Sequence, residues 1–173
     1  MRAVHHPKPH PTKPGEESVW DYPRPPALEF IEGRHLEIVH EGEIVASTHR
    51  GYRVLETSHP PVYYFPPDDC NDAVLRPARQ ASISYCEWKG EASYLDVVFP
   101  ARGVHLERVA WRYTEPTKRF EPIRDHIAFY ASPFDGCFVD GERVRAQPGG
   151  FYGGWITDDI IGPFKGEPGS MGW

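Results

Sequence analysis

The sequence predicts a mainly β protein, a single small antiparallel β-barrel or folded-over sheet with one or two short helices. Three observations carry this expectation. The 19 prolines and 16 glycines make about one residue in five of the 173 a helix breaker, and a proline inside a helix removes a donor and clashes with the preceding turn at a cost of ~3 kcal/mol. Aromatic residues reach 13%, more than a disordered chain carries and enough to build a core. From His35 onward, apolar residues recur at period two with turn residues in the gaps.

The elements follow in order. Residues 1–18 hold Pro7, Pro9, Pro11 and Pro14 among lysines and the histidines His5, His6 and His10, with almost nothing to bury. They read as a flexible arm whose histidines are solvated rather than metal-bound, ahead of one β-rich domain over 19–173. Leu36–His40 and Ile44–Thr48 flank Glu41-Gly42 as a hairpin. Tyr52–Thr57 and Val62–Phe65 are two further strands, separated by Ser58-His59-Pro60-Pro61. Asp68–Leu75, with acidic residues first and Pro77 just after, predicts a short helix. Ala92–Phe99 and Val104–Tyr113 predict a long hairpin with Val109, Trp111 and Tyr113 facing the core and Arg108 and Arg112 facing water. Phe120–His126 reads as a helical turn, Ile127–Ala131 as a strand, and Cys137–Val139 and Arg143–Ala146 as strands joined through Asp140-Gly141.

Charge and composition exclude several function classes. A net charge of −6 with no long basic run argues against a nucleic-acid partner. No apolar run is long enough to span a bilayer, and the first residues lack the apolar centre of a secretion signal, so the expectation is a cytoplasmic protein without a membrane partner. Three cysteines without a CxxC pair predict free thiols and no zinc site. No P-loop, Rossmann turn, HExxH or GxSxG motif occurs, and the histidines from His35 to His126 are scattered singly. No metal or cofactor is expected, and the oligomeric state is left open.

Four places carry candidate chemistry. In Cys86-Glu87-Trp88-Lys89-Gly90 a cation near a thiol favours the thiolate, provided that a bulge brings Cys86 and Lys89 together; the alternative is a buried, inert cysteine beside a surface lysine. In Tyr52–Thr57, alternation sets Glu56 beside Val54, where desolvation would raise its pKa and suit it to general acid or base work; a solvated or ion-paired Glu56 is the alternative. Tyr63 and Tyr64 must point to opposite faces, so one phenol faces inward. The glycine-rich Phe151-Tyr152-Gly153-Gly154-Trp155 lets a backbone approach closely and offers Tyr152 and Trp155 as an aromatic wall, or as a lid on the core.

Taken together, Arg53–Thr57, Tyr63–Pro66, Cys86–Tyr94, Ile127–Tyr130 and Tyr152–Trp155 resemble the family called domain of unknown function 427, also catalogued as a nucleotidyltransferase domain. The resemblance runs from about Trp20 to Trp173 and implies a β-tent-like fold. It marks Glu56, Tyr64, Cys86, Lys89 and Tyr94 as motif positions. The expected function is therefore a small-molecule pocket, with Glu56, Cys86, Lys89 and Tyr64 as catalytic candidates and Tyr94, Tyr152 and Trp155 as ligand contacts. Acid/base or thiol-assisted chemistry on a small anionic or carbonyl metabolite is the leading reading. A non-catalytic metabolite- or peptide-binding module and a nucleotidyltransferase are the alternatives.

Overall fold

A computed structural model describes residues 6–79 and 83–173; residues 1–5 of the expected arm lie outside the described residues. β1 (Glu17–Ser18) and β2 (Ala27–Phe30) precede a hairpin of β3 (Leu36–His40) and β4 (Glu43–Thr48). Its turn, Glu41-Gly42, has φ of 53° and 73°, the primed geometry whose twist matches the flanking strands. β5 (Tyr52–Leu55) and β6 (Val62–Tyr64) continue the sheet begun by β2 in the order β2-β5-β6. A five-stranded sheet gathers β7 (Leu75–Pro77), β8 (Ile83–Cys86), β9 (Gly90–Phe99), β10 (Val104–Pro116) and β11 (Ile127–Phe129). β12 (Gly136–Val139) and β13 (Glu142–Arg143) extend the β3–β4 pair to four strands. β14 (Arg145–Ala146) pairs with β15 (Trp155–Ile156), while β16 (Ile160–Ile161) runs parallel to β1. The architecture is mainly β and folded over on itself rather than closed into a barrel, and the helical residues described are short 3-10 turns.

Two cores share the central sheet. Leu95, Val97, Phe99, Ile127 and Phe129 pack into the larger one with Leu36, Ile38, Tyr63, Phe65 and Trp155. Ala92, Trp111, Tyr113 and Ala128 pack on the opposite face with Val54, Tyr64, Phe120 and Ile123. The expectation of one wet face on β10 is thus corrected: the sheet is covered on both sides, because the β2-β5-β6 sheet lays Val54 and Tyr64 over Trp111 and Tyr113. Val109 also leaves the face of Trp111. A β-bulge between Leu106 and Ala110, with Arg108 at φ 51°, shifts the alternation. The bulge is pinned by Asp96, which accepts from the Arg108 N–H at 2.8 Å and contacts His105 Nε2 at 2.7 Å.

The predicted helix over Asp68–Leu75 is replaced by a 3-10 turn at Pro67–Asp69 followed by the edge strand β7. Asn71 Oδ1 accepts from the Ala73 N–H at 3.1 Å, and the Asn71 N–H donates to Val45 at 2.8 Å. These local bonds compete with a helical turn, and β9 then offers β7 a ladder. The glycine-rich end, which shows no periodicity, still contributes β15 and β16 as two-residue strands.

Within residues 6–18, the His10 N–H donates to Gly162 and Glu17–Ser18 pair with β16. Arg53 anchors this edge. Only 6% exposed, it donates twice to Glu17 at 2.8 Å and once to Glu29, its cross-strand neighbour, at 2.9 Å. The Arg53 hydrogen bond holds the Glu17 carboxyl below the usual carboxylate range against the opposing pull of burial. Replacing Arg53 by Met is expected to cost about 2 kcal/mol in urea unfolding. That is less than the 3–5 typical of a broken buried pair, because both glutamates keep access to water. Since Glu17 is depressed in the folded state, its contribution is complete above the ordinary Glu value of about 4.3 and fades as the pH falls below it, so the difference between Arg53→Met and wild type should shrink there.

Candidate functional site

A cavity of about 560 Å³ opens beside the smaller core, within the size range of small-molecule sites. Val54, Ala92, Trp111 and Tyr113 form its apolar floor, Glu56, His59, Lys89 and Gln147 reach into it, and Tyr85, Trp88, Phe151 and Tyr152 stand around its mouth. Phe151 is 76% and Tyr85 77% exposed, so the rim is an exposed aromatic collar.

Cys86 and Lys89 meet here by a simpler device than a bulge in one strand. Cys86 closes β8 and pairs with Gly90, which opens β9, so Lys89 lies in the tight turn between them. Gly90 sits at φ 110°, and a Cβ there would be 3.1 Å from the Glu115 carbonyl. Thr117 ties the turn down, its hydroxyl donating to Trp88 at 2.6 Å and its N–H to Lys89 at 3.0 Å. The ammonium of Lys89 lies 5.8 Å from the centre of the Tyr113 ring. No hydrogen-bond or ion-pair partner meets its Nζ among the described residues. Burial pulls this ammonium down, but Tyr64, Cys86 and Glu56 together pull harder upward, so Lys89 stays charged at neutral pH.

Glu56 follows β5, where the strand has already ended, and its carboxylate is 3.9 Å from Arg24 and 3.8 Å from His59 Nε2. Tyr64 does not line the cavity. It lies behind the floor, fully buried, with its ring 6.4 Å from that of Tyr113 and its hydroxyl without a hydrogen-bond partner among the described residues. Tyr94 lines the wall, donates to Ser84 at 2.9 Å and carries the Arg108 guanidinium 4.5 Å over its ring. Tyr152 lines the mouth and meets the His59 ring edge-on at 5.0 Å.

Trp155 corrects the expected aromatic wall. It is 1% exposed, stacks near Tyr63 at 5.3 Å and donates to the Phe129 carbonyl at 2.9 Å, so it belongs to the larger core. Its strand pairing with Ala146 turns the indole inward, and the neighbouring glycines serve the cavity instead. A Cβ on Gly153 would collide with the Trp111 indole. One on Gly154 would stand 2.6 Å from Gln147 Oε1 and from the Pro60 carbonyl.

Several cavity residues had no signal in the sequence pattern. His59 reads there as a single scattered histidine, and no pattern sets Gln147, Arg24 or Lys165 apart. In the structure, burial pushes the His59 imidazole down to about 4, helped by repulsion from Arg24, Lys165 and Lys89. Burial and the Arg24 charge lower Lys165 too. Gln147 binds three partners: its Oε1 accepts from the Gly154 N–H at 3.0 Å, and its Nε2 lies 2.9 Å from the Lys165 carbonyl and 3.0 Å from His59 Nδ1. The Asp158 carboxylate is paired with Arg145 at 3.0 Å, and neither it nor Asp159 is part of the cavity lining.

A family model matches residues 29–140, well over half of the chain, and its description is a domain of unknown function, DUF427. The chain belongs to this family. The family's short label abbreviates a nucleotidyltransferase, and no protein with a curated description matches the chain. Within the matched span, this DUF427 protein places Glu56, His59, Cys86, Lys89 and Tyr94 on the cavity, whereas Gln147, Tyr152 and Lys165 come from outside it.

Two outcomes follow from this packing. Tyr64→Phe removes an unpartnered buried hydroxyl and should raise stability by about 1 kcal/mol in the free protein; a lower urea midpoint would mean that the hydroxyl has a partner. Gly154→Ala drives a methyl group against the Pro60 backbone and should cost about 2 kcal/mol, seen as a lower melting temperature.

Proposed function

We propose that this domain binds a small, flat, anionic or carbonyl-bearing metabolite in the cavity, with Glu56 as the group that moves a proton. The observation that carries the reading is the charged Lys89 ammonium, set among aromatic side chains and without a hydrogen-bond or ion-pair partner among the described residues. A cation in that position attracts an anionic or developing negative oxygen strongly, because the surrounding rings compete poorly for it. The upward pull on Lys89 suits it to hold an anion and not to act as a base. Glu56, on the same cavity wall, is the available acceptor for a proton leaving an atom next to the bound oxygen. Cys86 contributes a half-buried thiol at the end of β8, as a wall or as a nucleophile. The exposed aromatic collar of Tyr85 and Phe151 favours a second reading, in which the same groove captures part of a peptide without chemistry.

The test compares benzoate with its neutral isostere benzamide by NMR shift perturbation of the full chain. Benzoate should bind about tenfold or more tightly, as expected for one charge-assisted contact. Lys89→Met should remove the preference while leaving the fold intact. Equal binding of the two probes, no binding of either, or a preference that survives Lys89→Met would refute the reading.

A further inference from the structure

The hydrogen bonds around Gln147 have a consequence for His59. The Gly154 backbone N–H can only donate and the Lys165 carbonyl can only accept. Gln147 Oε1 therefore faces Gly154 and Nε2 faces Lys165; the flipped amide would set donor against donor and acceptor against acceptor. The second hydrogen of Nε2 is then directed at His59 Nδ1, 3.0 Å away. A nitrogen that accepts cannot carry the proton of a neutral imidazole, so that proton sits on Nε2. Nε2 lies 3.8 Å from the Glu56 carboxylate, and both residues line the cavity.

We propose that Gln147 is a positioning residue that fixes His59 as the neutral Nε2–H tautomer. The donor so presented, beside Glu56, forms a second polar subsite that takes an uncharged oxygen acceptor of the ligand, such as a ketone. This rests on the reading of the cavity as a ligand site and deepens it: Lys89 holds the anionic group and His59 the neutral oxygen, which defines an oxo acid class of ligand. Every charged group facing His59 agrees with a neutral ring except one. Arg24, Lys165 and Lys89 repel an added proton, while Glu56 attracts it, and the balance together with burial keeps the ring uncharged at neutral pH. The Tyr152 ring, packed edge-on at 5.0 Å, fixes the plane in which Nε2 points.

The first arm of the test needs no ligand. Long-range proton–nitrogen NMR on the intact chain at pH 7 should show His59 protonated on Nε2 and bare on Nδ1, with the ring titrating near 4. A proton on Nδ1, or an even mixture of tautomers, would overturn the lock. Gln147→Glu, which presents an acceptor to Nδ1, should move the proton to Nδ1 and raise the titration. If that variant fails to fold, Gln147→Met should leave a tautomer mixture, and an unchanged pure Nε2–H form in either variant would count against Gln147 as the cause. The second arm compares phenylpyruvate with 3-phenylpropanoate, which lacks the keto oxygen. Phenylpyruvate should bind about tenfold more tightly, and His59→Phe should abolish that difference. Equal binding of the two probes overturns the subsite alone. No binding of either overturns the ligand-site reading and the subsite with it, while the tautomer lock stands or falls on the first arm.

Discussion

Three consecutive aromatic residues at the end of β6 organise the molecule. On an extended strand, successive side chains point to opposite faces, so Tyr63 and Phe65 enter the larger core while Tyr64 enters the smaller. The backbone of Phe65 exchanges hydrogen bonds with Ile127 at 2.8 and 2.9 Å, which welds β6 to the edge of the five-stranded sheet. With that register fixed, Tyr63 meets Trp155, Phe65 meets Phe129 at 5.5 Å, and Tyr64 comes to lie behind the cavity floor. A slip of one residue would exchange the two cores' side chains. The Tyr64 hydroxyl is thereby buried with no hydrogen-bond partner among the described residues.

The cavity is also electrostatically unusual for an acidic protein. The chain carries a net charge of −6, yet Arg24, Lys89 and Lys165 surround the cavity closely enough to lower the His59 imidazole together. Glu56 balances part of this charge through its contacts with Arg24 and His59. Lys165 is held by the backbone oxygens of Ser170, Met171 and Trp173 at 2.7 to 3.2 Å, so its charge is anchored and partly screened by those dipoles. Lys89 has the Tyr113 face instead, a weaker partner than a carboxylate. Of the three cations it is the one whose electrostatic demand is least met by the protein.

The hairpins were legible in the sequence because alternation and turn chemistry agree there. Glu41-Gly42 and Asp140-Gly141 both adopt the positive φ values that hairpin turns need. Cys86, Lys89 and Glu56 do line one cavity, but by a route that alternation does not show: Lys89 lies in the turn after Cys86, and Glu56 stands past the end of β5. The two-faced burial of β10 was not legible, because it depends on a sheet made from residues far away in the chain. Trp155 misled for the opposite reason: glycines beside a ring read as a loop, while one backbone bond from its N–H to Pro61 draws the ring into the core. His59 and Gln147 are separated by 88 residues, so no local pattern relates them.

That separation bears on how the site is assembled. The span matched to the family supplies the floor, the Lys89 turn, Glu56 and His59. The state of His59, however, is set by an amide outside that span, and the amide is itself oriented by Gly154 and Lys165. The two glycines explain why this is possible. The absence of a side chain at Gly154 leaves room for Gln147 Oε1 and the Pro60 carbonyl to crowd the space a Cβ would fill, and its absence at Gly153 lets the loop approach the Trp111 indole. Pro60 directly follows His59, so the same close approach that orients Gln147 also holds the histidine's backbone in place. The imidazole and the amide that polarises it are therefore positioned by one contact between two distant loops, and a change in either loop alters the proton inventory of the cavity without touching Glu56 or Lys89.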